Sequence, residues 1–283
     1  MNVENTFSSW EDAVAWLRRQ PEQTQLVFDC YYDDPLIKAA ERYSQSEEWS
    51  AVRELLKGIS GKALDVGAGR GIASYALAKE GLKVTALEPD PSGLVGAAAI
   101  RELARESALP IDVVEEFSER LPFADASFDV VFARAVLHHT RDLEAACQEF
   151  FRVLKPGGRL IAIREHVISG EEDLPRFLES HPLHRLYGGE HAYLLQQYVG
   201  AIGQSGFKGL EVITPWQSPL NYAPHNLATL KAELVRRGNH YAGIGYLAGV
   251  ALGLPGVWSI MRRILDRVDK RPGRLYSFIA TRP

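Results

Sequence analysis

The 283-residue sequence is short of several things, and each shortage argues against a class of function. Only two cysteines occur, Cys30 and Cys147, with no CxxC pair and no histidine cluster beside them. A disulfide framework and a structural zinc are therefore not expected, and free thiols fit a cytoplasmic location. A net charge of −4 offers no basic excess for nucleic acid. No aromatic-interleaved basic stripe and no Asn-Pro-Pro-Tyr-like tetrapeptide occurs either, so a nucleic-acid partner is not expected. The opening MNVENTFSSWEDAVAW has neither a basic n-region nor an apolar h-region, so no secretory signal is expected. Repeats and low-complexity tracts are also missing. The remainder is ordinary globular material, 46% hydrophobic and 24% charged, enough for one large core or two modest ones.

Three patterns follow one another along the chain. Residues 1–60 read as a helical cap. SSWEDAVAWLRR starts with a Ser9 cap followed by Trp10, Val14 and Leu17 at helical spacing, and two short helices follow before Gly58. Residues 61–166 alternate strand and helix: KALDVG, KVTALEPD, IDVVEEF, FDVVFARAV and RLIAIREH are strands, with helices or turns between them. Such alternation implies a mostly parallel sheet covered on both faces. Residues 167–273 hold an irregular loop, a helix from AYLLQQYVGAIGQSGF, a strand at KGLEVITP and a helical insertion over 224–272. Residues 274–283, GRLYSFIATRP with its preceding glycine, read as a last strand that completes the core sheet by a non-local pairing.

The loop ALDVGAGRG at 63–71 joins a strand to a helix. Gly67, Gly69 and Gly71 permit a tight turn and close approach of a ligand to the backbone, and the next helix offers unpaired N–H groups. Glu88, at the end of the second strand, is spaced to accept hydrogen bonds from ribose hydroxyls. Both features suit NAD or another adenosyl cofactor. A dinucleotide loop, however, needs a glycine at position 72, where this chain has Ile72.

In order and spacing, ALDVGAGRG, LEPD, LPFADASFDVVFARAVLHH and LKPGGRLIAI resemble the successive motifs of class I S-adenosylmethionine-dependent methyltransferases. The resemblance implies an α/β fold, a Rossmann-like, mostly parallel seven-stranded sheet with helices on both faces. It also implies S-adenosylmethionine as cofactor, lying across the carboxyl ends of the strands. By the same resemblance Asp65 orders the loop and the methionine amino group, and Gly67, Ala68 and Gly69 line the methionine part, with Gly71 completing the loop. Glu88 holds the ribose and Pro89 packs beside the adenine. Where many relatives carry Asp-Ala before the LPF leucine, this chain has Phe117 and Ser118. Adenine recognition is then expected from Phe117, Ser118 and Glu116, with Arg134 also on the cofactor side.

Methyl transfer from a sulfonium depends strongly on positioning, and a hydroxyl or amine acceptor gains from a nearby base. Two histidine groups are candidates for that base: His139 with His138, after the fourth strand, and His184 in HPLHRLYGGEHAY. In the latter segment His181, Tyr187 and Glu190 are candidate acceptor contacts, as are Tyr31 and Tyr32 of the N-terminal cap. Its H-x-x-H and E-H spacing matches no zinc signature, so no metal is expected.

The uncharged stretch 241–261, YAGIGYLAGVALGLPGVWSIM, is long enough to be a transmembrane candidate. A span would leave the last strand on the wrong side of a membrane. The glycines at 243, 245, 249, 253 and 256, with Pro255, predict two short packed helices that cap an apolar acceptor pocket or touch a membrane peripherally. The expected function is transfer of a methyl group to a small-molecule or lipid-like acceptor, with oxygen favoured. A cofactor-binding accessory subunit without turnover and an NAD(P)-dependent oxidoreductase are the competing readings.

Overall fold

A computed structural model describes residues 7–242 and 245–283. Four helices lead the chain: α1 (Trp10–Arg18), α2 (Thr24–Asp29), α3 (Leu36–Ser44) and α4 (Glu47–Leu56). The Ser9 hydroxyl caps α1 by accepting from the Asp12 N–H at 3.1 Å, as its sequence predicts. The alternating core then runs β1 (Lys62–Val66), α5 (Ile72–Lys79), β2 (Lys83–Leu87), α6 (Ala97–Ser107), β3 (Ile111–Val114), β4 (Phe128–Arg134), α7 (Leu143–Val153) and β5 (Leu154–Ile168). It continues through α8 (Leu174–Ser180), α9 (His184–Tyr187), β6 (Tyr193–Leu194), α10 (Leu195–Gln204) and β7 (Lys208–Ile213). Three helices, α11 (Leu227–Ala242), α12 (Gly245–Gly253) and α13 (Val257–Val268), precede β8 (Arg274–Thr281).

Seven strands lie in the order β3-β2-β1-β4-β5-β8-β7, the first five parallel and β8 antiparallel to both neighbours. The short β6 adds an eighth, pairing with Val167 and Ile168 beside the main path. Successive strand residues face opposite layers. Leu64, Val131, Leu160 and Ala162 pack under α7 and α10, whereas Ala63, Val130, Phe132, Ile161 and Ile163 pack under α3, α4 and α5. Burial on both faces is why these strands read as continuous apolar runs. Strand order reverses between β1 and β4, with β2 and β3 added on one side and β5 on the other, and a ligand crevice in an open α/β sheet lies at such a point.

Local differences from the sequence reading have simple causes. The strand RLIAIREH begins earlier than its sequence suggests: KPGG is drawn into β5, whose register against β4 shifts between Phe128 and Val130 to absorb the extra residues. The second core helix starts at Ala97. The segment before it folds back, and a Cβ at Gly96 would lie 2.1 Å from the Asp90 carbonyl. Ala192–Leu194 do not join α10; Tyr193 and Leu194 form β6 instead.

The 241–261 expectation is corrected in part. Gly243 lies outside the described residues; the flanking chain forms α11 and α12, α12 packs on α11, and α13 is held against the loop after β7. There Arg262 donates to the Gln217 carbonyl, Asp266 accepts from the Trp216 N–H, and Asp269 accepts from the Trp216 indole. None of the described residues of the insertion lines the cavity at the crevice. Among the described residues no helix is long and apolar enough to cross a membrane.

Candidate active site

The carboxyl ends of β1, β2, β4 and β5 open into one cavity of about 560 Å3. That is a usual size for a small-molecule site. At its floor, β1 delivers Asp65, and the chain then turns through Gly67 and Gly69 with φ of +59° and +55°. A Cβ on Gly67 would lie 2.7 Å from Val136, so the glycine is needed for close packing as well as for its dihedral. A Cβ on Gly69 would meet nothing closer than 4.0 Å; this part of the loop faces open space. Gly71 does not line the cavity. Its place is at the start of α5, where a Cβ would press on Ile100 at 3.0 Å.

Two acids are held here away from their ordinary behaviour. Burial pushes the Asp65 carboxyl up to about 7, against the pull of a 2.5 Å hydrogen bond from Ser74. Burial likewise lifts Glu88 to about 7, although its carboxylate accepts from the Gly69 N–H at 2.7 Å and the Asp90 N–H at 2.9 Å. Each Glu88 oxygen keeps a second lone pair for a ligand donor. Pro89, Glu116, Phe117 and Ser118 line the adjoining wall, and Phe117 is exposed, with the Arg141 guanidinium 5.5 Å from its ring.

The N-terminal helices close over this floor. Buried Arg70, from the glycine loop, donates to the Tyr31 carbonyl at 2.8 Å and the Asp33 carbonyl at 3.0 Å, and pairs with Asp34 at 2.7 Å. Tyr31 and Tyr32 thereby line the cavity. Arg134 also lines it, but its guanidinium is committed to the buried Glu48 at 2.6 Å. Burial would raise Glu48, but Arg134 and Arg164 reverse that and hold it below the usual carboxylate range. Three non-glycine residues on the cavity wall, Tyr31, Ala135 and Arg164, have left-handed backbone with φ of 61°, 58° and 62°. Each costs about 1–2 kcal/mol and persists only where surrounding contacts hold it.

The opposite end of the cavity is a histidine cluster. Glu165, fully buried, accepts from the Val136 and His138 N–H groups at 3.1 Å and lies 2.7 Å from His138 Nδ1. Burial alone would depress His138, but Glu165 and Glu190 outweigh it and lift the imidazole to about 9. His139 Nδ1 lies 2.9 Å from the Gly189 carbonyl, while Nε2 stands 3.7 Å from Glu190. Burial, with the neighbouring His138 charge, holds His139 below its ordinary value, and its side chain is 42% exposed to the cavity. Gly188 and Gly189, with φ of 92° and 79°, turn the chain so that Glu190 enters the cluster. Burial opposes ionisation of Glu190, but the surrounding His138, His139 and His181 draw it well below the usual range.

The structure therefore brings Asp65, Gly67, Ala68, Gly69, Glu88, Pro89, Glu116, Phe117, Ser118, Arg134, Tyr31, Tyr32, His139, His181, Tyr187 and Glu190 to one cavity. His184 is not among its lining residues. It starts α9 with its Nδ1 buried and unpartnered, because the helix turns that side chain into the protein. Sequence reasoning missed Trp10, Cys30, Arg164 and His166. Arg164 and His166 sit at the carboxyl end of β5, and the crevice rule alone would have found them.

A family model described as a methyltransferase domain matches residues 64–162. The O-methyltransferase resE of Aspergillus sclerotiorum is 31% identical over 189 residues, 64% of this chain and 68% of that protein. The demethylmenaquinone methyltransferase of Chlorobaculum parvum is 41% identical over 98 residues, 34% of this chain; the match spans only 38% of that relative's length. Among solved structures, a phosphoethanolamine N-methyltransferase 2 of Haemonchus contortus has a TM-score of 0.57 at 19% identity, over 98% of this chain and 61% of that one. At that identity the likeness speaks for the fold alone. The chain belongs to the class I S-adenosylmethionine-dependent methyltransferases. S-adenosylmethionine is the cofactor that goes with this membership, and the donor set fits it: two carboxyls lifted by burial, a positive-φ loop open to a ligand, and spare acceptor capacity on Glu88.

Proposed function

We propose that the protein transfers the methyl group of S-adenosylmethionine to a hydroxyl oxygen of a small or lipid-like acceptor. One observation carries the reading: the acid-and-glycine floor and the histidine cluster share a single cavity. Asp65 would take the methionine ammonium, and Gly67, Ala68 and Gly69 would flank the methionine chain. Glu88 would accept from both ribose hydroxyls, with Pro89, Glu116, Phe117 and Ser118 around the adenine and Arg134 as a fixed wall. When bound, the cofactor supplies an electrophilic methyl on a sulfonium. His139 would take the acceptor's proton. Its imidazole is neutral at pH 7 and its Nδ1 is tied to Gly189, so Nε2 is the nitrogen left for that proton. Tyr31, Tyr32, His181, Tyr187 and Glu190 would bound the acceptor. The name of the Aspergillus relative supports oxygen, and that of the Chlorobaculum relative supports a lipid-like ring acceptor.

The test is incubation with S-adenosylmethionine and a panel of phenols, quinols and amines, read as S-adenosylhomocysteine release and methylated product by mass spectrometry. Product from hydroxylated acceptors is expected. Cofactor binding with no turnover on any acceptor would instead favour an accessory subunit. A second reading concerns location. Val250 on α12, Leu254 in the turn after it, and Ile260, Ile264 and Val268 on α13 are exposed, beside exposed Arg263, Arg267 and Lys270. That combination supports peripheral contact with an anionic membrane.

A further inference from the structure

We propose that His166, His181 and Glu190 form a binding site for one divalent first-row transition-metal ion. Spacing in the sequence hides such a site, because His181 and Glu190 flank α9 while His166 lies near the end of β5. Folding brings one ligand atom from each within 4.8 Å of the other two. His181 Nδ1 and Glu190 Oε1 stand 3.7 Å apart, too far for a hydrogen bond. Two ligands each about 2.0–2.1 Å from a tetrahedral zinc lie about 3.3 Å from one another, so this pair needs only a small closure. His166 is already oriented for the task. Its Nδ1 donates to the Gly273 carbonyl at 2.7 Å, which leaves the lone pair on Nε2, and a fixed second nitrogen is what metal-binding histidines usually have. Phe177 packs on both rings, 4.8 Å from His166 and 5.4 Å from His181. The 3.4 Å contact from the His184 N–H to His181 Nδ1 is long enough to yield to an ion.

A second triad, His138, His139 and Glu190, meets the same distance condition. There, however, the His138 and His139 Nε2 atoms face the other carboxylate oxygen of Glu190, Oε2, at 3.6 and 3.7 Å, so an ion held on Oε1 beside His181 leaves that pair in place. His139 then remains free for the acceptor proton. Two imidazoles and one carboxylate leave coordination positions open. All three residues line the cavity, and on the methyl-transfer reading an acceptor oxygen would take one of those positions. The ion site itself does not depend on that reading.

The experiment uses the full, untagged chain, stripped by chelator and dialysed. It is titrated with Zn2+ by calorimetry and with Co2+ by visible absorption. Saturation at one equivalent is expected, weakened at least about tenfold by His181→Ala and by Glu190→Gln and unchanged by His139→Ala. Affinity for S-adenosylhomocysteine, which would occupy the other end of the cavity, certifies that each variant is folded. Should His181→Ala fail that check, His166→Asn decides in its place. Absence of saturable binding, or loss in His139→Ala with retention in His181→Ala, overturns the proposal. Metal binding without methyl transfer would remove the proposed function and keep the site, and methyl transfer without metal binding would do the reverse.

Discussion

Asp65, the glycine loop and Glu88 all reach the cavity from two strand ends between residues 65 and 88, whereas the histidine end is gathered from three separate places between 138 and 190. The floor is made largely of backbone: positive-φ glycines, N–H groups and two acids fixed by those N–H groups or by Ser74. The histidine end is made of side chains that hold one another through Glu165 and Glu190. A site built from consecutive residues leaves its mark in a short motif. One built across the fold leaves only residue types whose meeting waits on topology. If the floor serves the cofactor and the cluster serves the acceptor, damage to each should separate cleanly.

The largest separation is expected from the cluster. His139→Ala should lower kcat by about 10²–10⁴-fold, the usual worth of a general base, while leaving S-adenosylhomocysteine affinity within about twofold. Comparable loss of affinity and turnover would merge the two ends. Next is Glu88→Ala, which removes a charged acceptor of two ligand hydrogen bonds. At about 1.5–3 kcal/mol for a hydrogen bond to a charged group, S-adenosylhomocysteine affinity by calorimetry should fall at least about tenfold.

A milder effect should follow pH. Asp65 and Glu88 are lifted to about 7, and the carboxylate is the form that receives an ammonium or hydroxyl donors. Affinity for S-adenosylhomocysteine should therefore drop severalfold as pH falls from 8 to 6, and Glu88→Gln should flatten part of that profile. The sign for stability is the opposite. With folded-state values above the unfolded ones, the contribution of these two acids to stability falls as pH rises from about 4 to about 7, and bound ligand reduces the loss; the depressed His139, His166 and His181 act in the opposite sense, so the readout is the difference between parent and Glu88→Gln. The melting temperature of Glu88→Gln should gain on that of the ligand-free parent over that window, and a difference that stays constant would contradict the assignment. The smallest effect concerns α13: Ile260→Ser with Ile264→Ser should weaken flotation with anionic vesicles and leave turnover on a water-soluble acceptor unchanged. Equal flotation of variant and parent would remove the membrane reading.

Much of the fold was legible because the parallel strands bury both faces and are bounded by glycine turns. ALDVGAGRG and LEPD announced the floor, and Ile72 in place of a glycine pointed away from a dinucleotide. What the sequence could not show is set by distance along the chain. His166 reads as the tail of a strand until β8 and the Gly273 carbonyl fix its ring. His184 reads like its neighbour His181, yet α9 turns one away from the cavity and leaves the other in it. The insertion misled for a different reason. Its apolar content suggested an acceptor cap, but Trp216, Asp266 and Asp269 decide where α13 docks, and no local pattern encodes those contacts.

The glycine floor should hold an adenosyl ligand, and the methyl-transfer reading follows from that. The measurement is a calorimetric and thermal-shift titration of the intact chain with S-adenosylhomocysteine and, separately, with NAD. Saturable binding of S-adenosylhomocysteine alone is predicted, stabilising by about 2.7 kcal/mol at a hundred times its dissociation constant and raising the melting temperature by several degrees. Stabilisation by NAD with none from S-adenosylhomocysteine would contradict it.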